Sequence, residues 1–182
     1  MSERATQLVQ MADGQLSEMI GLLSTRDEAA LSLPCPGRAK LADGTVGAVA
    51  THTADNYVRI AGFIAADATA PPTHSTHRSF RSIASRLGRH GRGEHGPWMH
   101  GPGGAGTTDR AGVLDRLSKG REAMLLVAEF TDEQLDTVPA ASDMKFCDGQ
   151  RTLEQIVTNL LNHQSHQLDA VKAALMCGPQ SA

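Results

Sequence analysis

Apolar side chains recur along the chain at a helical spacing, in four blocks separated by segments that cannot continue a helix. Between residues 4 and 24, Leu8, Ala12, Leu16, Met19, Ile20 and Leu23 fall three or four apart with polar residues between them, the pattern of one buried helix face. The "LPCPGR" segment at 33–38 holds two prolines and a glycine and reads as a connection. Over 43–66 the period resumes through Val46, Val49, Thr53, Tyr57, Ile60 and Ile64, with Asp43 or Thr45 as the expected N-cap. A third helical stretch runs from Thr108 to Phe130, with Val113, Leu117, Met124 and Val127 on one face.

"TDEQLDTVP" predicts a short turn of helix stopped by Pro139, and "MKFCDGQ" a connector. The last helix opens at "TLEQ", where Thr152 and Gln155 match a capping box, and is expected to run to about Met176 before Gly178-Pro179. Four substantial helices predict an all-α four-helix bundle forming one domain over residues 1–182.

The long interruption between the second and third helices is of another kind. Residues 69–107 contain four prolines, eight glycines and five of the eight histidines, with a basic series at Arg78, Arg81, Arg86, Arg89 and Arg92. "SFRSIASRL" could make two helical turns, but the glycine-rich remainder cannot sustain a regular element. A loop of this length in a compact domain is functional or disordered.

Composition narrows the picture. Aromatics make up 3% of the chain, so the core must be built from Leu, Val, Ile, Met and Ala, a palette suited to helices rather than sheets. The formal net charge of −3 supplies no general attraction to nucleic acid or anionic membrane. With only Phe80 and Trp98 among the basic residues of the insertion, a single-strand nucleic-acid surface is disfavoured. No apolar run approaches the ~20 residues of a membrane helix, and the first fifteen residues have no hydrophobic signal core. The expectation is a cytoplasmic protein. Cys35, Cys147 and Cys177 are odd in number and far apart, so reduced thiols are expected. The alanine-, arginine- and glycine-rich composition suits a high-GC bacterium.

The candidate chemistry lies in "LLNHQSHQLDAV", residues 160–171. At about 100° per residue, His163 falls on the flank of the apolar stripe, His166 further round, and Gln167 closer to the core. On the second helix His52 likewise flanks the apolar face, with Asn56 one turn on. Flanking side chains of adjacent helices can converge at an open edge, which is how bundles build metal sites. Imidazole suits zinc, nickel, iron and copper. The blander reading of a HxxH pair is a solvated polar face.

Two segments carry a resemblance. "TVGAVATHTADNY" resembles the second helix, and "RTLEQIVTNLLNHQSHQLDAV" the last helix, of the DinB/YfiT-like superfamily. The resemblance implies an up-down-down-up four-helix bundle, often a homodimer. It also implies a divalent metal, commonly zinc or nickel (iron being another option), held by three histidines. Two of these positions fall on His52 and His163; the third, four residues after His163, is Gln167 here. Three arrangements are then open: His166 as an i+3 ligand, Gln167 as a weak ligand through its carbonyl oxygen, or a degenerate site.

Several members of the superfamily are transferases or isomerases that use mycothiol, bacillithiol or glutathione, so the implied activity is metal-dependent thiol transfer to small electrophiles, a detoxification chemistry. The implied partners are a small-molecule substrate and a low-molecular-weight thiol. In that reading the Arg/His-rich stretch 74–100 would form a lid or hold the cofactor's carboxylate. The competing reading is a non-catalytic metal- or ligand-binding sensor of the same fold. Cys35 and Cys147 precede the second and last helices and read as small buried hydrophobes, with extra metal ligation as the alternative.

Overall fold

The computed structural model describes residues 2–39, 41–68 and 109–177. The expected long insertion at 69–107 and the Gly178-Pro179 helix stop lie outside the described residues. Those described are all-α, with a single isolated β-bridge between Pro34 and Thr45.

The first helix, α1 (Glu3–Ser24), starts where the Ser2 hydroxyl accepts the Ala5 N–H and so satisfies one otherwise unpaired donor of the first turn. Its buried stripe is Ala5, Leu8, Ala12, Leu16, Met19 and Leu23, while Ile20 sits half-buried at the margin. A 3₁₀ turn (Glu28–Ser32) capped by Asp27 leads into the connection before α2 (Val46–Ala68). Both residues expected to start α2 take part. Thr45 Oγ1 accepts the Ala48 N–H at 3.3 Å, and the Asp43 carboxylate accepts the Thr45 hydroxyl at 2.7 Å.

The third periodic block does not remain one α-helix. Helix α3 (Arg110–Met124), capped by Asp109, tightens into a 3₁₀ segment at Leu125–Glu129. Leu126, Val127 and Phe130 are buried there, whereas Leu125 is 57% exposed. A fourth, single-turn helix, α4 (Asp132–Leu135), has a full capping box between Thr131 and Gln134. The last helix, α5 (Leu153–Cys177), has the expected one. Thr152 Oγ1 accepts the Gln155 N–H at 3.2 Å, and Gln155 Oε1 accepts the Thr152 N–H at 3.0 Å.

Side-chain pairs between helices give their directions. Arg4 meets Glu154 where α1 and α5 begin, and Glu18 meets Lys172 toward their other ends, so these two run parallel. Arg110, opening α3, reaches the Arg26 carbonyl just past the end of α1, and Arg121 pairs with Asp13, so α1 and α3 are antiparallel. Arg116 faces Asp55, and Ala61 packs with Ala123 and Leu126, which sets α2 parallel to α3.

Each of the four long helices touches two others: α1 against α3 and α5, and α2 against the same two. The α2–α3 approach is close. A Cβ at Gly120 would lie 3.3 Å from the Ala54 carbonyl oxygen and 3.4 Å from Tyr57 Cβ. Tyr57 donates its hydroxyl to Gln15 Oε1 at 2.6 Å, and Gln15 Nε2 donates to the Leu161 carbonyl at 3.1 Å, so one polar chain ties α2, α1 and α5. No helix among the described residues is long and apolar enough to cross a membrane.

Candidate metal centre

His52 and His163 meet at the edge between α2 and α5. Each sits beside its helix's buried stripe: His52 precedes buried Thr53 and Ala54, and His163 lies between Leu160 and Gln167. Because α2 and α5 are antiparallel neighbours, the two flanks face one another. The rings are 6.0 Å apart between centroids and nearly perpendicular, at 83°.

Each imidazole has an amide one helical turn further on. Asn56 Nδ2 lies 2.9 Å from His52 Nε2, and Gln167 Nε2 lies 3.3 Å from His163 Nε2. An amide nitrogen can only donate, so each Nε2 accepts from the amide one turn on, which restricts ring rotation, and a metal ion at Nε2 would take that amide's place. The Phe146 ring closes the His163 side at 6.1 Å, and the Lys145 ammonium stands 5.6 Å from the centre of that ring. From the other connection Arg38 donates through Nη2 to the His166 carbonyl at 2.7 Å.

Burial first, and then the Lys145 and Arg38 cations, push the His163 imidazolium down to about 4. Burial, followed by Arg59 and Lys145, also lowers His52. Both rings are therefore neutral near pH 7, the form that can donate a lone pair to a metal.

Next to the two histidines in sequence, or one turn on, are buried polar atoms without partners among the described residues. Gln167 Oε1, both amide atoms of Gln164, and Thr53 Oγ1 are buried and unpaired. Unsatisfied buried polar groups are uncommon because each costs its full desolvation penalty. Here they include the residues directly following each histidine and the amide contacting His163.

Two imidazoles sharing one zinc ion through bonds of ~2.0–2.1 Å would have ring centroids about 5–6 Å apart. The observed separation fits that spacing, and the orphaned Gln167 carbonyl oxygen supplies an acceptor of the kind an ion takes. The donor set has limits. Among the described residues no group of three His, Cys, Asp or Glu side chains is arranged to hold a metal.

The expected site residues thus divide. His52, His163 and Gln167 come together. His166 is exposed, and it is its backbone carbonyl that Arg38 engages. Cys35 and Cys147 are buried members of the core. Burial holds the Cys35 thiol up at about 11, opposed by Arg38. Cys147 is also raised, first by burial, with Ser142 lowering it and Asp148 raising it. Their protonated forms are packing groups. Arg38, Lys145 and Phe146 reach the site from connections, where no periodicity marks a side chain's direction.

No family model matches the chain, and neither a curated protein nor a solved structure does.

Proposed function

We propose that the protein is a DinB-like four-helix-bundle metal protein, in which His52, His163 and Gln167 hold a divalent ion, zinc ahead of nickel or iron. Its activity in this reading is transfer of a low-molecular-weight thiol of the mycothiol, bacillithiol or glutathione type to a small electrophile. The observation that carries it is the pair of neutral, edge-to-face imidazoles beside the buried, unpaired Gln167 carbonyl oxygen. The antiparallel placement of α2 and α5 and the parallel placement of α1 and α5 accord with an up-down-down-up bundle.

A bound divalent ion lowers the pKa of a thiol, so that thiolate is available at neutral pH. The chain's own residues have simpler tasks. His52 and His163 stay neutral and present nitrogen lone pairs. Asn56 fixes the orientation of His52, and Gln167 that of His163. Phe146 packs edge-on beside His163. Cytoplasmic location and a homodimer belong to the same reading.

A second reading is favoured by one observation, an amide at Gln167 where a third imidazole is expected. A neutral carbonyl donor holds zinc more weakly than imidazole or thiolate, which suits a non-catalytic binding or sensor protein.

Elemental analysis of protein purified without a histidine tag tests the centre, with His163→Ala as the comparison. About one equivalent of zinc, nickel or iron, lost in the variant, is expected from a single site. Metal absent from both after reconstitution overturns the proposal. With metal present, turnover of a thiol and an electrophile separates the transferase from the sensor.

A further inference from the structure

The charged side chains acting on the imidazole pair are all positive. Lys145 and Arg38 act on His163, and Arg59 and Lys145 act on His52. Arg38 and Lys145 enter none of the ion pairs found among the described residues. Two carboxylates of these connections, Asp43 and Asp148, are engaged in their own turns, while the exposed Asp143, two residues before Lys145, enters none of those ion pairs. Asp43 accepts from the Thr45 hydroxyl and N–H, and Asp148 accepts from Arg151 and the Gln150 N–H.

Arg38 is also held in place. Its connection is wound tight by Arg38 N–H to Cys35, Leu41 N–H to Arg38, and Gly44 N–H to Leu41 hydrogen bonds. Its Nη2 is fixed on the His166 carbonyl, and its Nε is buried without a partner. Lys145 stands over Phe146, whose ring packs against His163. Two cations from separate connections therefore flank one edge of the helical pair, and neither is in an ion pair among the described residues. A guanidinium positioned before binding loses little freedom when it takes a ligand, and its planar donors match a carboxylate.

We infer that Arg38 and Lys145 recognise the carboxylate of a small anionic ligand whose reactive end lies at His52 and His163. The position of the reactive end rests on the metal-centre proposal; the anion contact does not. The two bound charges would also help each other. An anion offsets the positive surroundings that oppose a divalent ion at neutral donors, and by linkage the ion strengthens anion binding equally.

Calorimetric titration of the full, metal-free chain with malonate at low salt tests this, with malonamide as the uncharged counterpart. Malonate is expected to bind and malonamide not, with affinity falling as salt rises. Lys145→Gln and Arg38→Gln should each weaken malonate about tenfold, the loss of one charge-assisted hydrogen bond. Lys145 is exposed, so its variant keeps the fold and the comparison stands even if Arg38→Gln disturbs its loop. Equal binding of the two compounds, no binding, or unchanged affinity in Lys145→Gln overturns the inference. Malonate bound by a protein that takes up no zinc would keep the anion site and remove the metal centre. Zinc bound without any preference for malonate would do the reverse.

Discussion

Gln167 is the residue on which the proposed centre turns. It is buried, it touches His163 through Nε2, and its carbonyl oxygen has no partner among the described residues. Gln167→His would place imidazole where the family resemblance expects it. Zinc affinity measured by chelator competition should rise at least about tenfold, corresponding to ~1.4 kcal/mol. An unchanged affinity would show that this position does not face the ion.

The cysteines give a separate residue-scale test. Cys177 is exposed, while Cys35 and Cys147 are buried. Burial both shields Cys35 and Cys147 and raises their thiols, which leaves Cys177 as the accessible one. A disulfide reagent at pH 8 should titrate one rapid thiol in the native protein and all three after denaturation. Rapid reaction of two or three thiols in the native state would contradict the packing described for the connections.

Among the elements, the connection from Leu33 to Thr45 combines the tightest backbone with a functional side chain. Gly37 and Gly44 both have φ of 71°, and Ala42, at 50°, occupies the left-handed region without being glycine. A Cβ on Gly44 would lie 2.9 Å from Ala39 Cα and 3.0 Å from the Arg38 carbonyl oxygen. Gly44→Ala therefore adds backbone strain to a backbone clash. It is expected to cost ~2 kcal/mol or more in urea unfolding. Ala42→Gly should act oppositely, neutral or stabilising by up to ~1 kcal/mol, because it relieves a left-handed alanine. The same sign for both would mean that this loop is not held as described.

The ends of the helices show what local sequence can and cannot specify. The Thr152–Gln155 box was legible, and the second helix's cap was narrowed to Asp43 or Thr45, because a cap is made by side chains within four residues of the donors they satisfy. The change from α to 3₁₀ after Met124 was not, because the apolar pattern through Leu126, Val127 and Phe130 suits either winding until a core surface chooses between them.

At the scale of the whole molecule, Arg4 joins three parts of the chain, reaching Asp136 after α4 and Glu154 at the start of α5. The Arg4 guanidinium holds the Asp136 carboxyl below its ordinary 3.8, mainly through their hydrogen bond. A depressed folded-state pKa means that the unfolded chain takes up the proton first as pH falls. The pair's contribution is present above the unfolded value and is lost as pH drops through the folded one. Asp136→Asn should therefore lower the urea midpoint at pH 6–7, by an amount that shrinks as pH falls below the ordinary carboxylate value. A difference that does not shrink on acidification would assign the effect to packing rather than charge. The pair is solvent-exposed, so added salt should shrink the difference at neutral pH.

The sequence by itself determined the helical class, the buried stripe of each long helix, the Thr152–Gln155 capping box and the flanking positions of His52 and His163. All of these follow from a period of 3.6 residues and from contacts within one turn. Tertiary structure decided which flanks meet. It set α2 antiparallel to α5, brought the two imidazoles to 6.0 Å, turned His166 to the exposed side, and carried Arg38 and Lys145 to the same edge. A charged residue in a connection has no repeating neighbour to report its direction. Its role emerges only when turns and helix packing bring distant parts of the chain to one place.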